Sequence, residues 1–459
     1  MIDRRTLLRR GGLGAAGLSV AALVGVREAG GQSDPLDGLA DWMAMVEGRI
    51  ETIEAKLEAW DIPAPTATPT ATPTPTLSPT ATPSAGILLD PDSPIQPQLD
   101  AHPGATFLLA GTYRNFHNVI PRPGQTLEGV PEGAEIIGNG VWRSAIVGGE
   151  KGGDAHPGPV TLRTFALTGY QTNQGDGPWG PEGAIAAWLT DDWEFDRLTL
   201  YECLGNGEAL RFGNRAWVHG CLIEDNAGMG ANGHGEDYVF EDNSLYRNGG
   251  KDGGHEGGIK VVHSRRGVIR NNHAAENAGT GLWSDIDNID NLIEGNLVED
   301  NTTRGIATEI DFGTVIRDNT VRHNGLGFDV WLWGAQILVQ NTMDAVVEGN
   351  EVTVSADGGD GIGVIEQSRG SSDRLGLEYL ARNYRFRNNL VTFEGNRGQL
   401  GIVSDQGTGV EVRESGDWQG TTVRAPQSWW SRDQFEANGR FNVDEFEART
   451  GWEITREVT

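Results

Sequence analysis

The sequence predicts an all-β chain of stacked coils, and three observations carry that prediction. A short phrase ending in asparagine recurs, and its best-spaced copies end at Asn272, Asn296 and Asn319, which are 24 and 23 residues apart. A second asparagine stands five residues after each copy. A glycine and an apolar residue follow, as in Gly281-Leu282 and Gly305-Ile306. Repeats of this length are typical of solenoids, in which each coil contacts only its neighbours.

The asparagines indicate how each coil turns. A buried turn leaves backbone N–H and C=O groups that need partners. A short amide side chain tolerates the left-handed bend, and it can bond both its own backbone and the asparagine one coil away. Coils of this length, stacked at the strand spacing of about 4.8 Å, form a parallel β-helix.

The repeats resemble those of the right-handed parallel β-helix, the pectate-lyase-like superfamily, over residues 86–411. The opening segments also resemble that family: residues 101–114 are similar to its first coil and residues 123–129 to its second. The resemblance implies a fold. It does not imply one activity, because the superfamily includes lyases, hydrolases, epimerases and inert adhesins.

The first 31 residues predict export. Arg4-Arg5-Thr6-Leu7-Leu8-Arg9 precedes a small apolar run from Gly11 to Val26, which is typical of a twin-arginine (Tat-type) signal peptide over 1–31. The run is too short and too rich in glycine for a membrane span, so we expect no stable span in the mature form. An uncleaved N-terminal anchor is the alternative. Either form predicts a secreted or cell-surface protein.

Two further segments separate this signal from the β-helix. Over 34–62, apolar residues alternate by three and four positions from Leu36 to Trp60, which predicts a coiled-coil helix. We expect residues 36–60 to form a homo-oligomer; packing of this helix on its own β-helix is the alternative. Residues 63–85 repeat Pro, Thr and Ala and predict an extended linker.

The end of the chain and the cysteines complete the organisation. Residues 412–459 lose the repeat and predict a C-terminal cap, with a helix from Gln434 to Thr450. Cys203 and Cys221 are the only cysteines of the sequence and lie 18 residues apart. Their positions differ relative to the repeat, which favours two buried thiols, and a disulfide is the alternative.

The net charge of the chain limits the classes of partner that it can bind. The chain has 65 acidic residues against 36 Lys and Arg, a formal net charge of −29. Such a surface repels nucleic acid and anionic membranes, so we expect no nucleic-acid partner. It would also repel an acidic polysaccharide unless a metal or a local basic group intervened. Two interpretations stay open: carboxylates that bind Ca²⁺, or an acidic surface for solubility.

Stacking the strands that follow glycine predicts a site. Side chains alternate in a strand, so the residues two, four and six after Gly258, Gly281 and Gly305 should point outward together. His263 should point inward as a core histidine. The three predicted outward columns are Lys260, Trp283 and Ala307; Val262, Asp285 and Glu309; and Ser264, Asp287 and Asp311.

These columns predict the parts of a uronate lyase. Ca²⁺ prefers carboxylate oxygens, and the predicted calcium ligands are Asp285, Asp287, Glu309 and Asp311. The predicted catalytic residues are Lys260, the base, with Asp285 and Glu309. The resemblance implies the same chemistry, since similar β-helix lyases use Ca²⁺ with Lys or Arg. The predicted partner is a polysaccharide, bound by Trp283, Trp331, Trp333 and His255.

One stretch has two possible registers. Either Gly327–Trp333 is the strand that follows Glu309, or Gln336–Gln340 is that strand and the tryptophan-rich piece is a loop beside it. The second register fits the distance to Asn350 better. Both place Trp331 and Trp333 near the acidic columns, where exposed indoles could stack on sugar rings.

Two other functions stay open. Paired carboxylates also serve β-helix glycoside hydrolases. Gly233-His234-Gly235 is faintly similar to the polygalacturonase family, although that family's upstream aspartates do not appear at matching spacing and Asp191-Asp192 lies too far away. Alternatively, the outward acids only solvate a non-catalytic glycan-binding or structural surface protein. The sequence therefore predicts an exported carbohydrate-active β-helix and leaves open whether it is an enzyme.

Overall fold

The computed structural model describes residues 85–148, 158–172, 183–250, 257–326, 331–406 and 409–459. The predicted signal peptide (1–31), coiled coil (34–62), nearly all of the linker (63–85) and His255 lie outside these residues. No helix in the described part of the chain is long and apolar enough to cross a membrane.

The chain winds through three walls of strands, numbered here β1 to β36 in chain order. Wall 1 is a 12-stranded sheet, parallel except for its last pair. Its strands are β4 (Ile146–Val147), β7 (Gly183–Ala186), β10 (Glu208–Phe212), β13 (Ala231–Glu236), β16 (Gly257–Arg265), β19 (Thr280–Asp285), β22 (Ile306–Glu309), β25 (Ala335–Gln340), β28 (Asp360–Glu366), β31 (Leu400–Ser404), β34 (Phe435–Ala437) and β35 (Arg440–Phe441).

Walls 2 and 3 belong to one 24-stranded sheet, joined where β3 pairs with both β5 and β6. The first three strands are β1 (Ile87–Leu88), β2 (Thr106–Tyr113) and β3 (Thr126–Ile137). Wall 2 contains β5 (Val160–Arg163), β8 (Trp193–Asp196), β11 (Trp217–His219), β14 (Val239–Glu241), β17 (Val268–Arg270), β20 (Leu292–Glu294), β23 (Val315–Arg317), β26 (Val346–Glu348), β29 (Arg385–Arg387) and β32 (Asp417–Gln419). Wall 3 contains β6 (Ala166–Thr168), β9 (Thr199–Tyr201), β12 (Leu222–Glu224), β15 (Ser244–Tyr246), β18 (His273–Ala275), β21 (Leu297–Glu299), β24 (Thr320–Arg322), β27 (Glu351–Val354), β30 (Leu390–Phe393), β33 (Thr422–Ala425) and β36 (Thr455–Val458).

The core is a stack of apolar residues, one from each short strand. In a three-residue strand only the central side chain faces inward, because side chains alternate. Ile269, Ile293 and Ile316 occupy that position in successive coils, pair in register and are fully buried. Burying each such side chain stabilises the fold by about 1.5–3 kcal/mol. The predicted all-β, right-handed parallel β-helix fold is confirmed.

Asparagine ladders line two corners of the coil, as predicted. In each ladder a side-chain amide nitrogen donates to the amide oxygen of the next member at 2.8–3.1 Å. One ladder contains Asn243, Asn272, Asn296, Asn319, Asn350 and Asn389, and the other contains Asn226, Asn248, Asn277, Asn301, Asn324 and finally Gln336. The two cysteines stand at the ends of these ladders. The backbone N–H groups of Cys203 and Cys221 donate to Asn226 and Asn243, and both thiols are free and buried.

The ladders explain the glycine of each repeat. A Cβ atom on Gly281 would lie 2.8 Å from the side-chain nitrogen of Asn301, and one on Gly305 would lie 2.8 Å from that of Asn324. Real Cβ atoms essentially never come that close. Glycine therefore leaves the room that the second ladder needs, and it fixes where wall 1 begins in each coil.

The C-terminal region differs from its prediction. Walls 2 and 3 continue past residue 411 through β32, β33 and β36. The helices are α1 (Ile95–Asp100), α2 (Gly409–Ser415), α3 (Gln427–Trp430) and α4 (Val443–Thr450). The predicted helix from Gln434 to Thr450 is wrong over its first half, where β34 and β35 form an antiparallel hairpin. Asn438 and Gly439 have φ of +55° and +140°, so the chain turns there and the helix begins only after Asn442.

Candidate functional site

The site is built on the outer face of wall 1. Lys260 of β16 pairs in register with Trp283 of β19, and Trp283 pairs with Ala307 of β22. Asp285 pairs with Glu309 in the same two strands. The regular stacking of coils therefore brings together the residues predicted to be catalytic, since neighbours in a parallel sheet lie about 4.8 Å apart.

Lys260 lies between a carboxylate and an indole. Its Nζ atom is 2.6 Å from Asp285 Oδ2 and 3.8 Å from the centre of the Trp283 ring. The positive charge is thus held by an ion pair and by the negative face of an aromatic ring. Lys260 contributes a fixed cation at the centre of the wall.

Asp285 is almost fully buried, with 3% of its surface exposed. Burial raises the pKa of its carboxyl group, and Lys260 works in the opposite direction. Its second oxygen, Oδ1, has no hydrogen-bond partner among the described residues. A buried acceptor without a partner costs about 1–3 kcal/mol, so this oxygen is a candidate contact for a bound ligand.

Two arginines surround Glu309. The Arg304 guanidinium lies between two indoles, 5.3 Å from the Trp283 ring centre and 5.1 Å from that of Trp333, and its Nη1 atom is 3.8 Å from Glu309. Arg369 forms a hydrogen-bonded ion pair with the other oxygen of Glu309. The acidic pair of the prediction is therefore interleaved with three cations.

The third predicted column is wrong. The backbone N–H of Ser264 donates to the Asn288 side chain, and that of Asn288 donates to Asp311, so these three residues share one column. Asp287 is an extra residue at this bend, where Ile286 and Asp287 both have φ near +60°. Asp311 is consequently fully buried in the interior, and burial raises its pKa well above the usual range.

His263 also departs from its prediction. It is exposed, because β16 carries a bulge: His234 pairs with Val262 and Gly235 with Ser264, which leaves His263 unpaired with a φ of +49°. The extra residue reverses the alternation after Val262. The His263 ring centre lies 6.3 Å from that of His234, on the outer face of wall 1.

The two registers left open for residues 327–340 are resolved. Strand β25 spans Ala335–Gln340 and pairs with β22, so the second register is confirmed. Trp331 and Trp333 lie in the loop beside it and are partly buried against a cluster that includes Trp283, Ala307 and Leu338. Both indoles therefore border the Lys260 column, as predicted, and their sugar-binding role stays a prediction.

The carboxylates predicted to bind calcium do not surround a common position. Asp311 is interior, and Asp287 accepts a hydrogen bond of 2.7 Å from the Tyr379 hydroxyl. Asp285 and Glu309 already have Lys260 and Arg369 as partners. These residues do not fit a calcium site of six or more oxygens, and calcium binding stays a prediction.

A different group of possible metal donors, Glu194, Asp196 and His219, lies on wall 2. Both oxygens of Asp196 are held by Arg197, at 2.7 and 2.6 Å. The His219 ring directs one nitrogen toward each carboxylate, at 3.3 Å from Glu194 and 3.6 Å from Asp196. That arrangement is typical of an ion-pair network rather than of a metal centre.

Sequence reasoning missed the residues that arrive from a distant coil. The segment 367–382, called here the crossing segment, leaves wall 1 after β28 and returns across earlier coils. It brings Arg369 to Glu309, which is 60 residues earlier, and Tyr379 to Asp287, which is 92 residues earlier. Arg374 donates to the backbone carbonyl of Asp287 at 3.3 Å. No repeat signal marks these contacts.

His234 is the second functional candidate that the columns did not contain. Burial lowers its pKa to about 4, with further contributions from His263, Arg374 and Arg211. Its Nδ1 atom is buried and has no hydrogen-bond partner among the described residues. A neutral imidazole with an unused nitrogen, beside cations on an outer wall, is suited to accept a proton.

A match to a known family agrees with the architecture over part of the chain. A family model described as a right handed beta helix region matches residues 183–344. No curated protein matches the sequence. Among solved structures, the A-modules of two mannuronan C-5 epimerases of Azotobacter vinelandii, AlgE6 and AlgE4, each share 17% identity with this chain, with TM-scores of 0.49 and 0.48. They align over 72% and 74% of this chain and 94% of their own.

A surface adhesin of Streptococcus pneumoniae, PfbA, is also similar, at 11% identity and a TM-score of 0.39, over 69% of this chain and 92% of its own. Likeness at this level spans proteins with different activities and says nothing about which activity is present here. The side chains of wall 1 are therefore the basis for a functional assignment. The family match and the stacked parallel strands together identify the described part of the chain as a right-handed parallel β-helix.

Proposed function

We propose that the outer face of wall 1 binds an acidic polysaccharide and that this exported protein cleaves it by β-elimination. One observation carries the proposal: on a chain of net charge −29, Lys260 and Arg304 lie against the indoles of Trp283 and Trp333, and Arg369 joins them through Glu309. Indole faces stack on sugar rings, and cations neutralise uronate carboxylates. Trp283 itself is buried, with 3% of its surface exposed, so the aromatic surface offered to a sugar is that of the partly buried Trp331 and Trp333 beside these cations.

The proposed chemistry needs a base and a neutralised carboxylate. A cation lowers the cost of negative charge at the uronate carboxylate when the C5 proton leaves. The base takes that proton, the C4–O bond breaks, a C4=C5 double bond forms, and the departing oxygen takes up a proton. We assign the base to His234, whose imidazole is neutral near pH 7, and we assign Lys260, the base of the sequence prediction, the role of cation.

The test is incubation of the purified protein with uronic-acid polymers, with and without EDTA, while the absorbance of the unsaturated product is followed. Product in the presence of EDTA supports elimination that relies on protein cations. Product that EDTA abolishes would support the calcium hypothesis instead. Reducing ends without the unsaturated chromophore would indicate hydrolysis, and retention on the polymer without product would indicate the non-catalytic glycan-binding alternative.

Matched variants sharpen the test. Arg369→Gln removes a cation of the site, and Arg424→Gln removes a comparably exposed arginine that pairs with Glu457 on wall 3. Loss of polymer affinity in the Arg369→Gln variant only would support the assignment of polymer binding to wall 1. Equal effects would contradict it.

Export through the twin-arginine signal and oligomerisation through residues 36–60 belong to the same proposal. Replacement of Arg4 and Arg5 by lysine should retain the protein in the cell, as measured by fractionation. Deletion of residues 36–60 should leave a monomer in sedimentation. A secreted lysine variant, or an unchanged oligomer, would contradict the respective assignment.

A further inference from the structure

We propose a second binding station on wall 1, formed by Trp188 and Arg211, which holds the same polymer chain at a distance from Trp283. The wall then grips several sugar units at once. This inference rests on the proposed function. It adds that the site recognises a polymer several sugar units long.

The second station repeats the chemistry of the first. The Arg211 guanidinium lies 4.2 Å from the centre of the Trp188 ring, as Lys260 lies over Trp283. The Arg211 side chain is 11% exposed, and its Nε atom is 3.6 Å from Glu208. A cation on an aromatic face beside a carboxylate thus occurs at both places.

The two stations lie on one continuous line of side chains. Arg211 of β10 pairs with Asn232 of β13, Asn232 pairs with Lys260 of β16, and Lys260 pairs with Trp283 of β19. Trp188 stands two residues after Ala186, the last residue of β7, and Ala186 pairs with Arg211. From β7 to β19 are four strand steps, roughly 19 Å at the usual strand spacing. A polymer chain that reaches from Trp188 to the strand of Trp283 must run along the solenoid axis and present several sugars.

Between the two stations, wall 1 contains buried polar atoms without hydrogen-bond partners among the described residues. Asn232 is 5% exposed, and its Oδ1 atom is buried without a hydrogen-bond partner among the described residues. The same holds for His234 Nδ1. Buried polar groups without partners are rare and costly. Hydroxyl groups of a sugar chain, which both donate and accept hydrogen bonds, would satisfy these two atoms.

The experiment measures affinity against chain length. Size-defined oligouronates, from trimer to decamer, are titrated into wild type, Trp188→Ala, Arg211→Gln and the control Trp217→Ala, which removes an exposed indole on wall 2. We expect the ratio of decamer to trimer affinity to fall about tenfold in the first two variants, as the loss of one cation–aromatic contact predicts. The control should keep the wild-type ratio.

The outcomes separate the two proposals. Cleavage by wild type with an unchanged length ratio in both variants would overturn the second station and leave the elimination proposal intact. Length-dependent binding that the variants reduce, without any unsaturated product, would support the station and overturn elimination. Absence of oligouronate binding by the folded wild type would overturn both.

Discussion

The ion pair between Lys260 and Asp285 is largely removed from water, with side-chain exposures of 15% and 5%. Lys260→Ala would leave the carboxylate buried beside Glu309 without its nearest cation. We expect the free energy of unfolding to fall by about 3–5 kcal/mol, the usual cost of breaking one partner of a buried pair. Urea denaturation followed by circular dichroism measures this change.

A double variant separates stability from function at this pair. Lys260→Met together with Asp285→Leu removes both charges at similar volume, and such replacements are often neutral for stability. We expect the double variant to unfold like wild type and to show no polymer cleavage. A double variant as unstable as Lys260→Ala would show that the pair is required for the fold and would weaken its assignment to the site.

His234 predicts a dependence of stability on pH. Its pKa is about 4 in the fold and 6.5 for the free group, so the unfolded chain binds the extra proton between these values. The contribution is complete above pH 6.5 and is lost as the pH falls toward 4, by at most roughly 3 kcal/mol. His234→Gln should therefore lose less stability than wild type between pH 7 and pH 4.5 in thermal melts. Equal losses of stability in wild type and His234→Gln would contradict the lowered pKa of His234.

For individual residues, the alternation of side chains along a strand predicted which ones share the outer face, as long as neighbouring strands keep their register. Lys260, Trp283, Asp285 and Glu309 lie where the two-residue period places them. The prediction failed at His263 and Asp287, because a bulge and a pair of left-handed residues each shift the period by one. A single sequence does not mark such an insertion.

The asparagine ladders are the element that holds successive coils in register. Asn296 accepts hydrogen bonds from the backbone and side chain of Asn272, and it donates to the carbonyl of Ile269 and to Asn319. Asn296→Ala would leave these buried groups without partners. We expect a loss of roughly 3 kcal/mol or more in the free energy of unfolding, measured by urea denaturation.

The matched control is Thr320→Ala, a partly exposed position in the strand next to this ladder. It should change the free energy of unfolding by less than about 0.5 kcal/mol. Equal losses in the two variants would show that the ladder contributes no more than an ordinary strand position.

The ladder itself was visible in the sequence because its period is fixed. The crossing segment was not, because its contacts span 60 to 92 residues without any periodicity.

For the whole molecule, the net charge of −29 opposes the approach of any polyanion. Repulsion acts over a Debye length of about 30 Å at 0.01 M salt and about 8 Å at 0.15 M, whereas the contacts with Lys260 and Arg369 act at close range. We expect the association rate with a polyuronate to rise as salt increases from 0.01 to 0.15 M. Stopped-flow measurements test this, and a rate that falls steadily would indicate a net attractive surface.

The fold of the described chain could be predicted almost entirely, since a solenoid repeats one set of neighbour contacts and so leaves a period in the sequence. The candidate site could be predicted only as a location. Arg369 comes from a distant coil that the repeat does not mark. Arg304 stands directly before Gly305, where the preceding coil has Thr280, so its position follows the repeat but its charge does not.

The crossing segment gives the molecule an uneven resistance to fraying. A plain stack of windings can peel from either end, one winding at a time, because each is fastened only to the next. Here Arg369 and Tyr379 fasten a later winding to two earlier ones, so these must come apart in a single event. Under mechanical load the ends would give way first, and the wall that carries Lys260 would be among the last parts to open.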